Sequence, residues 1–318
     1  MRLILPTLVL LLAMAAAVFV FAAPPAKAAS YRVGIGEQRA ALFSDSRFQA
    51  TGIKRVRYLV PWDWRRLAGQ RAETAGYLGA ARAAGKEIFV TFTARRGCFS
   101  DGRYSRSRSC RAPSTRAYTR SVRAFRKAFG FVRVFAPWNE ANHVSQPIAR
   151  RPARAAAYYN VLRRYCRRCT LVAADVLDQR GVEGYLRAFM RSAKGSPRRW
   201  GLHNYSDVNR RRTSGTRGVL RTVPGEVWLT ETGGILTFGK DFPRSESRAA
   251  NRTKYMFGLA DAYRNRRAGM RSRISRIYPY SWFGSPRGAR FDAGLVNPNG
   301  SPRRAYFAFR TIVKRRAK

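Results

Sequence analysis

Two glutamates draw attention in a chain that carries 17 acidic residues against 63 Lys and Arg. Glu140 closes the run Phe135-Ala136-Pro137-Trp138-Asn139-Glu140-Ala141-Asn142, and Glu231 closes Val227-Trp228-Leu229-Thr230-Glu231-Thr232-Gly233-Gly234. Each follows a short stretch of β-branched and aromatic residues, the composition of a buried strand. Brought to one mouth, two such carboxyls suit acetal cleavage: one protonates the departing oxygen while the other attacks or stabilises the cation-like carbon. Taken singly, either glutamate reads as the ion-pair partner of one of the many arginines. It is the pair that points to chemistry.

Bringing them together requires a particular order of elements. From residue 31 onward, short apolar runs alternate with longer segments of helical period, the pattern of parallel strands joined by crossover helices. Eight strands are expected, over 31–36, 53–62, 87–94, 131–140, 170–176, 199–207, 226–233 and 273–282, with helices clearest over 72–84, 115–129, 153–165, 182–193, 247–267 and 303–318. Eight β/α units in this length, with no Pro- or Gly-rich linker between them, predict an α/β fold with a single (β/α)8 TIM barrel. An open doubly wound sheet is the runner-up, but Gly34-Ile35-Gly36-Glu37 lacks the third glycine of a dinucleotide loop. In a barrel the C-terminal strand ends build the site, and Glu140 and Glu231 end the fourth and seventh strands.

At this point the motifs resemble a known family. Trp138-Asn139-Glu140 after the fourth strand and Thr230-Glu231-Thr232-Gly233 after the seventh are similar to the clan A glycoside hydrolases. Arg57 in Val56-Arg57-Tyr58, His203-Asn204-Tyr205 on the sixth strand and Tyr280-Ser281-Trp282 ending the eighth add to the likeness, as does the segment 292–306 before the last helix. The resemblance spans essentially the whole chain after its leader. It implies a retaining glycosidase in which Glu140 is the general acid/base and Glu231 the nucleophile. It also implies that Asn139 bonds the sugar 2-hydroxyl and that Arg57 and Tyr205 hold Glu231 ionised. His203 joins the substrate-binding set, and Trp282 forms the floor beneath the sugar. One departure stands out: Ala141 occupies a position where many members have proline.

The remaining residues read less sharply. Asp63 and Glu37 lie just after strands and serve equally as substrate contacts or caps. Trp62, Trp64, Phe99, Tyr104 and Phe283 fall on mouth loops, as sugar-stacking subsites or rim packing. His143 has no His or Cys at metal spacing, so a loop or packing role is expected, with no metal and no cofactor.

Residues 1–28, with Arg2, the apolar run 3–23 and the Ala26-Lys27-Ala28 triplet, read as a signal peptide, leaving a barrel domain over 29–318; an uncleaved anchor is the alternative. A secreted, extracellular or cell-envelope protein without a stable span after removal is expected, and there cysteines oxidise. In a barrel, Cys98 and Cys110 lie after a strand and Cys166 and Cys169 before one, at opposite ends. Two local disulfides therefore fit better than one zinc site, with a redox role for the Cys-x-x-Cys as the weaker alternative.

The composition, 45% hydrophobic, excludes disorder. The net charge of +46, carried mostly by 54 arginines, suits adsorption to an anionic polymer but is spread over every helix, so no specific nucleic-acid reader is expected. Together these features predict a secreted retaining glycoside hydrolase acting on a polysaccharide or oligosaccharide. The alternative is an inactive barrel that binds carbohydrate or an anionic cell-surface polymer.

Overall fold

The structure, a computed structural model, describes residues 30–317 except Asp101; the expected leader over 1–28 lies outside them. Eight parallel strands form the barrel: β1 (Arg32–Val33 and Ile35–Gly36, interrupted at Gly34), β2 (Arg55–Pro61), β3 (Glu87–Thr93), β4 (Val134–Ala136), β5 (Thr170–Leu171 and Asp175–Leu177), β6 (Arg199–His203), β7 (Gly225–Thr232) and β8 (Ser272–Pro279). Pairing runs from β1 to β8 in order, and Arg32 opposite Arg276 closes the ring. The fold is thus a single (β/α)8 barrel, as the alternation of elements predicts.

Around it lie α1 (Ser46–Gln49), α2 (Ala68–Ala83), α3 (Thr115–Ala128), α4 (Pro152–Tyr165), α5 (Val182–Ser192), α6 (Tyr205–Arg210), α7 (Ser214–Thr222), α8 (Glu246–Ala262) and α9 (Arg304–Ala317). Two strands are shorter than expected. β4 stops before Pro137, which has no N–H to continue a ladder, and β6 stops at His203 because the chain turns into α6. Neither α6 nor α7 is signalled by a neighbouring cap. The first amides of α7 are instead met by Asp207, whose carboxylate accepts from Gly215 N at 3.3 Å and Thr216 N at 2.6 Å.

The apolar residues divide into two compartments. A large core lies between strands and helices, whereas Phe89, Val134, Ala136, Val172, Trp228 and Tyr278 fill the inside of the barrel. Below that filling, Arg276 lies flat on the Trp228 ring, 3.9 Å from its centroid, and pairs with Glu87. Above it, toward the C-terminal strand ends, the interior turns polar, and this is where the candidate site begins. Gly34 is required here, because a Cβ would stand 2.4 Å from the Tyr278 ring.

Disulfides join Cys98 to Cys110 and Cys166 to Cys169, as the sequence predicts. The first ties the loop after β3 at the mouth and the second the turn between α4 and β5 at the other end. Among the described residues no helix is long and apolar enough to cross a membrane.

Candidate active site

The barrel brings the two glutamates together. A carboxylate oxygen of Glu140, one of Glu231 and a ring nitrogen of His203 all lie within 4.8 Å of one another. Glu140 sits in the loop after β4 with φ 46°, a left-handed conformation that a non-glycine residue adopts only when its surroundings enforce it. Two hydrogen bonds do so. Asn139 N donates to Phe92 O at 2.7 Å and Ala141 N to Asp175 O at 2.8 Å, so Glu140 is pinned between β3 and β5. The second bond bears on Ala141: proline there would remove the donor.

Glu231 is reached from below by Arg57. That side chain, fully buried inside the barrel, donates to Glu231 Oε1, Asn139 Oδ1 and Asp175 Oδ2 at 2.7 Å each and to Thr91 Oγ1 at 3.2 Å. Guanidinium, with five donors in a fixed fork, suits this multiple engagement. Since Arg57 takes Asn139 Oδ1, the amide nitrogen of Asn139 is the end left to meet a ligand.

His203, also fully buried, is placed beside Glu231 by an irregularity in the β6–β7 register. Its Nδ1 lies 3.2 Å from Glu140 Oε1 and 3.6 Å from Glu231 Oε2, and its Nε2 lies 3.2 Å from Asp175 Oδ1. Burial alone would lower its pKa, but the charges of Glu231 and Asp175 and the hydrogen bonds to Asp175 and Glu140 outweigh it and push the ring up to about 10. The imidazole is therefore a cation donating from both nitrogens. Glu140, His203 and Glu231 converge closely enough for a metal ion, which would have to displace the imidazole proton to bind there.

The same cation reverses one expectation. A negative Glu231 next door should raise the pKa of Glu140, and burial pushes the same way. However, the hydrogen bond and charge of His203, helped by His143, hold Glu140 below its ordinary value. His143 is closer to the chemistry than a packing role requires: its Nδ1 stands 3.7 Å from Glu140 Oε2 and 2.8 Å from Ser145 Oγ.

Arg57 reaches Glu231 as the resemblance implies, whereas two expected substrate contacts are corrected. His203, like Arg57, is 0% exposed, so both organise the carboxylates and neither meets a sugar. Trp282 is 0% exposed as well. Its ring is packed by Phe48, Tyr306 and Phe309 in the core outside the barrel, so it forms no floor. The aromatic ring at this end of β8 that senses the site is Tyr280, half-buried, packed on Gly36 and raised in pKa by burial and by the charges of Glu231 and Glu37. Tyr205 sends its hydroxyl to Tyr280 O at 3.4 Å rather than to Glu231.

Several weaker candidates turn out to be structural. Glu37 caps the backbone amides of Gln38, Arg39 and Phe283; Asp63 pairs with Arg95 at 2.8 Å; Trp64 packs on Phe125 and Phe129. Phe99 is exposed at the mouth, 6.4 Å from the His143 ring. Sequence reasoning missed Asp175, which is 0% exposed and joins Arg57 to His203 while accepting from Thr230 Oγ1. Its signal was there: an acid inside the apolar run Val172-Ala173-Ala174-Asp175-Val176, in a chain with few acids.

Comparison with solved structures agrees with this architecture. A GH5_18 protein from Streptomyces cattleya, crystallised with GlcNAc, superposes with a TM-score of 0.61 at 15% identity, over 91% of this chain and 81% of that one. A GH10 endoxylanase from a sugarcane soil metagenome gives a TM-score of 0.56 at 11% identity, over 89% and 97% of the two chains. An exo-beta-1,4-mannosidase from Opitutaceae bacterium strain TAV5 gives 0.58 at 15% identity, over 90% and 59%. At these identities the likeness speaks for the fold alone. A comparison with curated proteins finds no match. The family model of the glycosyl hydrolase catalytic core, however, matches residues 116–309, more than half of the chain and the part that carries both glutamates, so the chain belongs to that family and is a glycosidase.

Proposed function

We propose that the chain is a secreted retaining glycosidase that cleaves O-glycosidic bonds of a polysaccharide or oligosaccharide by double displacement, with residues 29–318 forming one barrel domain. The observation that carries this reading is that an oxygen of the Glu140 carboxylate and one of the Glu231 carboxylate lie within 4.8 Å of each other. Inverting enzymes hold their carboxyls about 6.5 to 9.5 Å apart to admit a water, while retaining ones keep them about 5 to 5.5 Å apart.

Arg57 occupies Glu231 Oε1, which leaves Oε2 to attack. As Oε2 bonds the anomeric carbon, the glycosidic C–O bond breaks and Glu140 gives its proton to the leaving oxygen. That proton is taken up from solvent. With all three carboxylates ionised, Arg57 and His203 leave one negative charge unbalanced, and a single proton neutralises the cluster. Nδ1–H of His203 faces Glu140 Oε1 and donates to it while Glu140 is ionised. In the second step water attacks the anomeric carbon, Glu140 takes its proton and Glu231 is released. In this reading the Asn139 amide nitrogen bonds a sugar hydroxyl beside Glu231, and half-buried Tyr280 takes the part assigned from sequence to Trp282. Both carboxylates are in place, which counts against an inactive carbohydrate-binding barrel. The two disulfides fit an oxidising compartment.

The test is turnover of a panel of aryl glycosides and oligosaccharides, with the anomer of the first product read by NMR. Glu231→Gln should lower kcat by at least about 10³-fold, and Glu140→Gln by roughly 10² to 10⁴-fold on substrates whose leaving group needs a proton. An inverted product, or full activity in either variant, would sink the assignment.

A further inference from the structure

Beside the paired glutamates a hollow of about 790 Å³ runs between the loops after β5, β6 and β7. His143, 3.7 Å from Glu140, and Tyr205, which feels the charges of Glu231 and Glu140, are among its lining residues, so it lies next to the reacting centre. One wall is aromatic: the half-buried rings of Phe238 and Phe242 join Tyr205 there. Such rings suit the C–H faces of a sugar. Arg180, Arg187, Arg210 and Arg212 project into the same hollow from exposed positions.

The charge of this hollow is one-sided because its acids are already engaged. Asp178 accepts from the amides of Ser206 and Asp207 at 3.2 and 2.6 Å, and Asp207 in turn meets the first amides of α7. Glu183 is matched by Arg187 at 3.7 Å. Arg210 lies over the Phe242 ring, 5.2 Å from its centroid, which keeps its guanidinium at the aromatic wall. Arg180 has no hydrogen bond or ion pair among the described residues. A neutral glycan would leave Arg180 and Arg210 without an anionic partner, whereas carboxylate-bearing sugars would place anions against them and ring faces against the aromatics.

We infer that this hollow is a substrate subsite for an anionic glycan, one carrying uronate or similar acidic groups on the sugar next to the cleaved bond. The inference rests on the glycosidase reading but concerns which substrate that site takes. The test uses an array of uronate-bearing oligosaccharides, each beside its carboxyl-reduced form with the same backbone, and reads equilibrium binding as well as turnover. The wild type should prefer the acidic member of some pair by about tenfold or more. Arg180→Ser with Arg210→Ser should remove most of that preference, and Arg180→Lys with Arg210→Lys should restore part of it. Arg167→Ser with Arg168→Ser takes the same charge from the opposite end of the barrel and should leave the preference within about twofold. Equal binding of acidic and reduced forms across the array, or an equal loss in the Arg167/Arg168 control, would overturn the inference. Because the double-displacement reading is tested separately by Glu231→Gln on whichever member turns over, a neutral preference with that variant inactive would overturn the subsite and leave the chemistry standing.

Discussion

Arg57 and His203 each serve both faces of the site, and Asp175 is the residue that makes this possible. With Asp175 between them, two buried cations stand 3.4 Å apart without dominating the field at the glutamates. Burial would raise the Asp175 pKa, but the charges of His203 and Arg57 outweigh it and hold the carboxyl well below the usual range. Asp175→Asn should therefore act through its neighbours. His203 loses one of the charges that hold it protonated, so its proton leaves at lower pH and its hold on the Glu140 carboxylate is released at lower pH, which moves the activity profile. The same shift has a stability sign. A histidine raised from 6.5 to about 10 contributes stability that is whole below about pH 6.5 and lost as pH climbs through about 10. The wild type should lose Tm across that window and the variant should lose less, from a baseline lowered by about 3 kcal/mol or more for the broken buried pair. A variant with reduced kcat but an unmoved pH profile would show that Asp175 only supports the fold.

At the scale of elements, the site depends on how closely the strands approach one another. Gly201 on β6 faces the Asp175 carboxylate, and a Cβ there would stand 2.3 Å from Oδ1 and 2.9 Å from Thr230 Oγ1. Gly201→Ala should cost about 1 to 3 kcal/mol and reduce kcat, because Asp175 must shift. Gly79, exposed on α2 with nothing within 4 Å of an added Cβ, should behave oppositely: Gly79→Ala should stabilise by about 0.5 to 1 kcal/mol without touching kcat. Urea denaturation of the two variants against wild type measures both. The strands were legible in the sequence because apolar runs bounded by polar helices repeat with one period, and the ends of β4 and β7 fixed both glutamates. What was not legible depends on long-range geometry. Trp282 and Tyr280 differ by two positions after β8, where the chain has left the strand and side-chain alternation no longer assigns a face. Residues Arg57 and His203 were found, but their complete burial follows from the curvature of the closed ring. Helices α6 and α7 escaped because Asp207 and Asp178 cap them from a distance in the sequence.

Across the whole molecule, +46 charges on a barrel of this size create a field that no single arginine explains. Arginines occur on every outer helix and on the loops between them, and α3 and α9 end in basic residues, Arg126 and Lys127 in one and Lys314, Arg315 and Arg316 in the other. We propose that this shell adsorbs the enzyme to anionic polymer independently of the subsite at the mouth. Adsorption of this kind releases counterions and is screened over about 10 Å at 0.1 M salt. Cleavage of a short neutral oligosaccharide depends on contacts inside the mouth, where buried charges such as Arg57 and Asp175 are little screened. Raising salt from 50 to 200 mM should thus weaken cosedimentation with an acidic polysaccharide by roughly tenfold or more, while kcat/KM on a short neutral substrate changes by less than about twofold. Binding to neutral and acidic polymers that is equal and indifferent to salt would leave the arginine excess without this role. A parallel fall of neutral-substrate cleavage would mean that the charge acts on the reaction itself, because only a field reaching the buried glutamates couples the two.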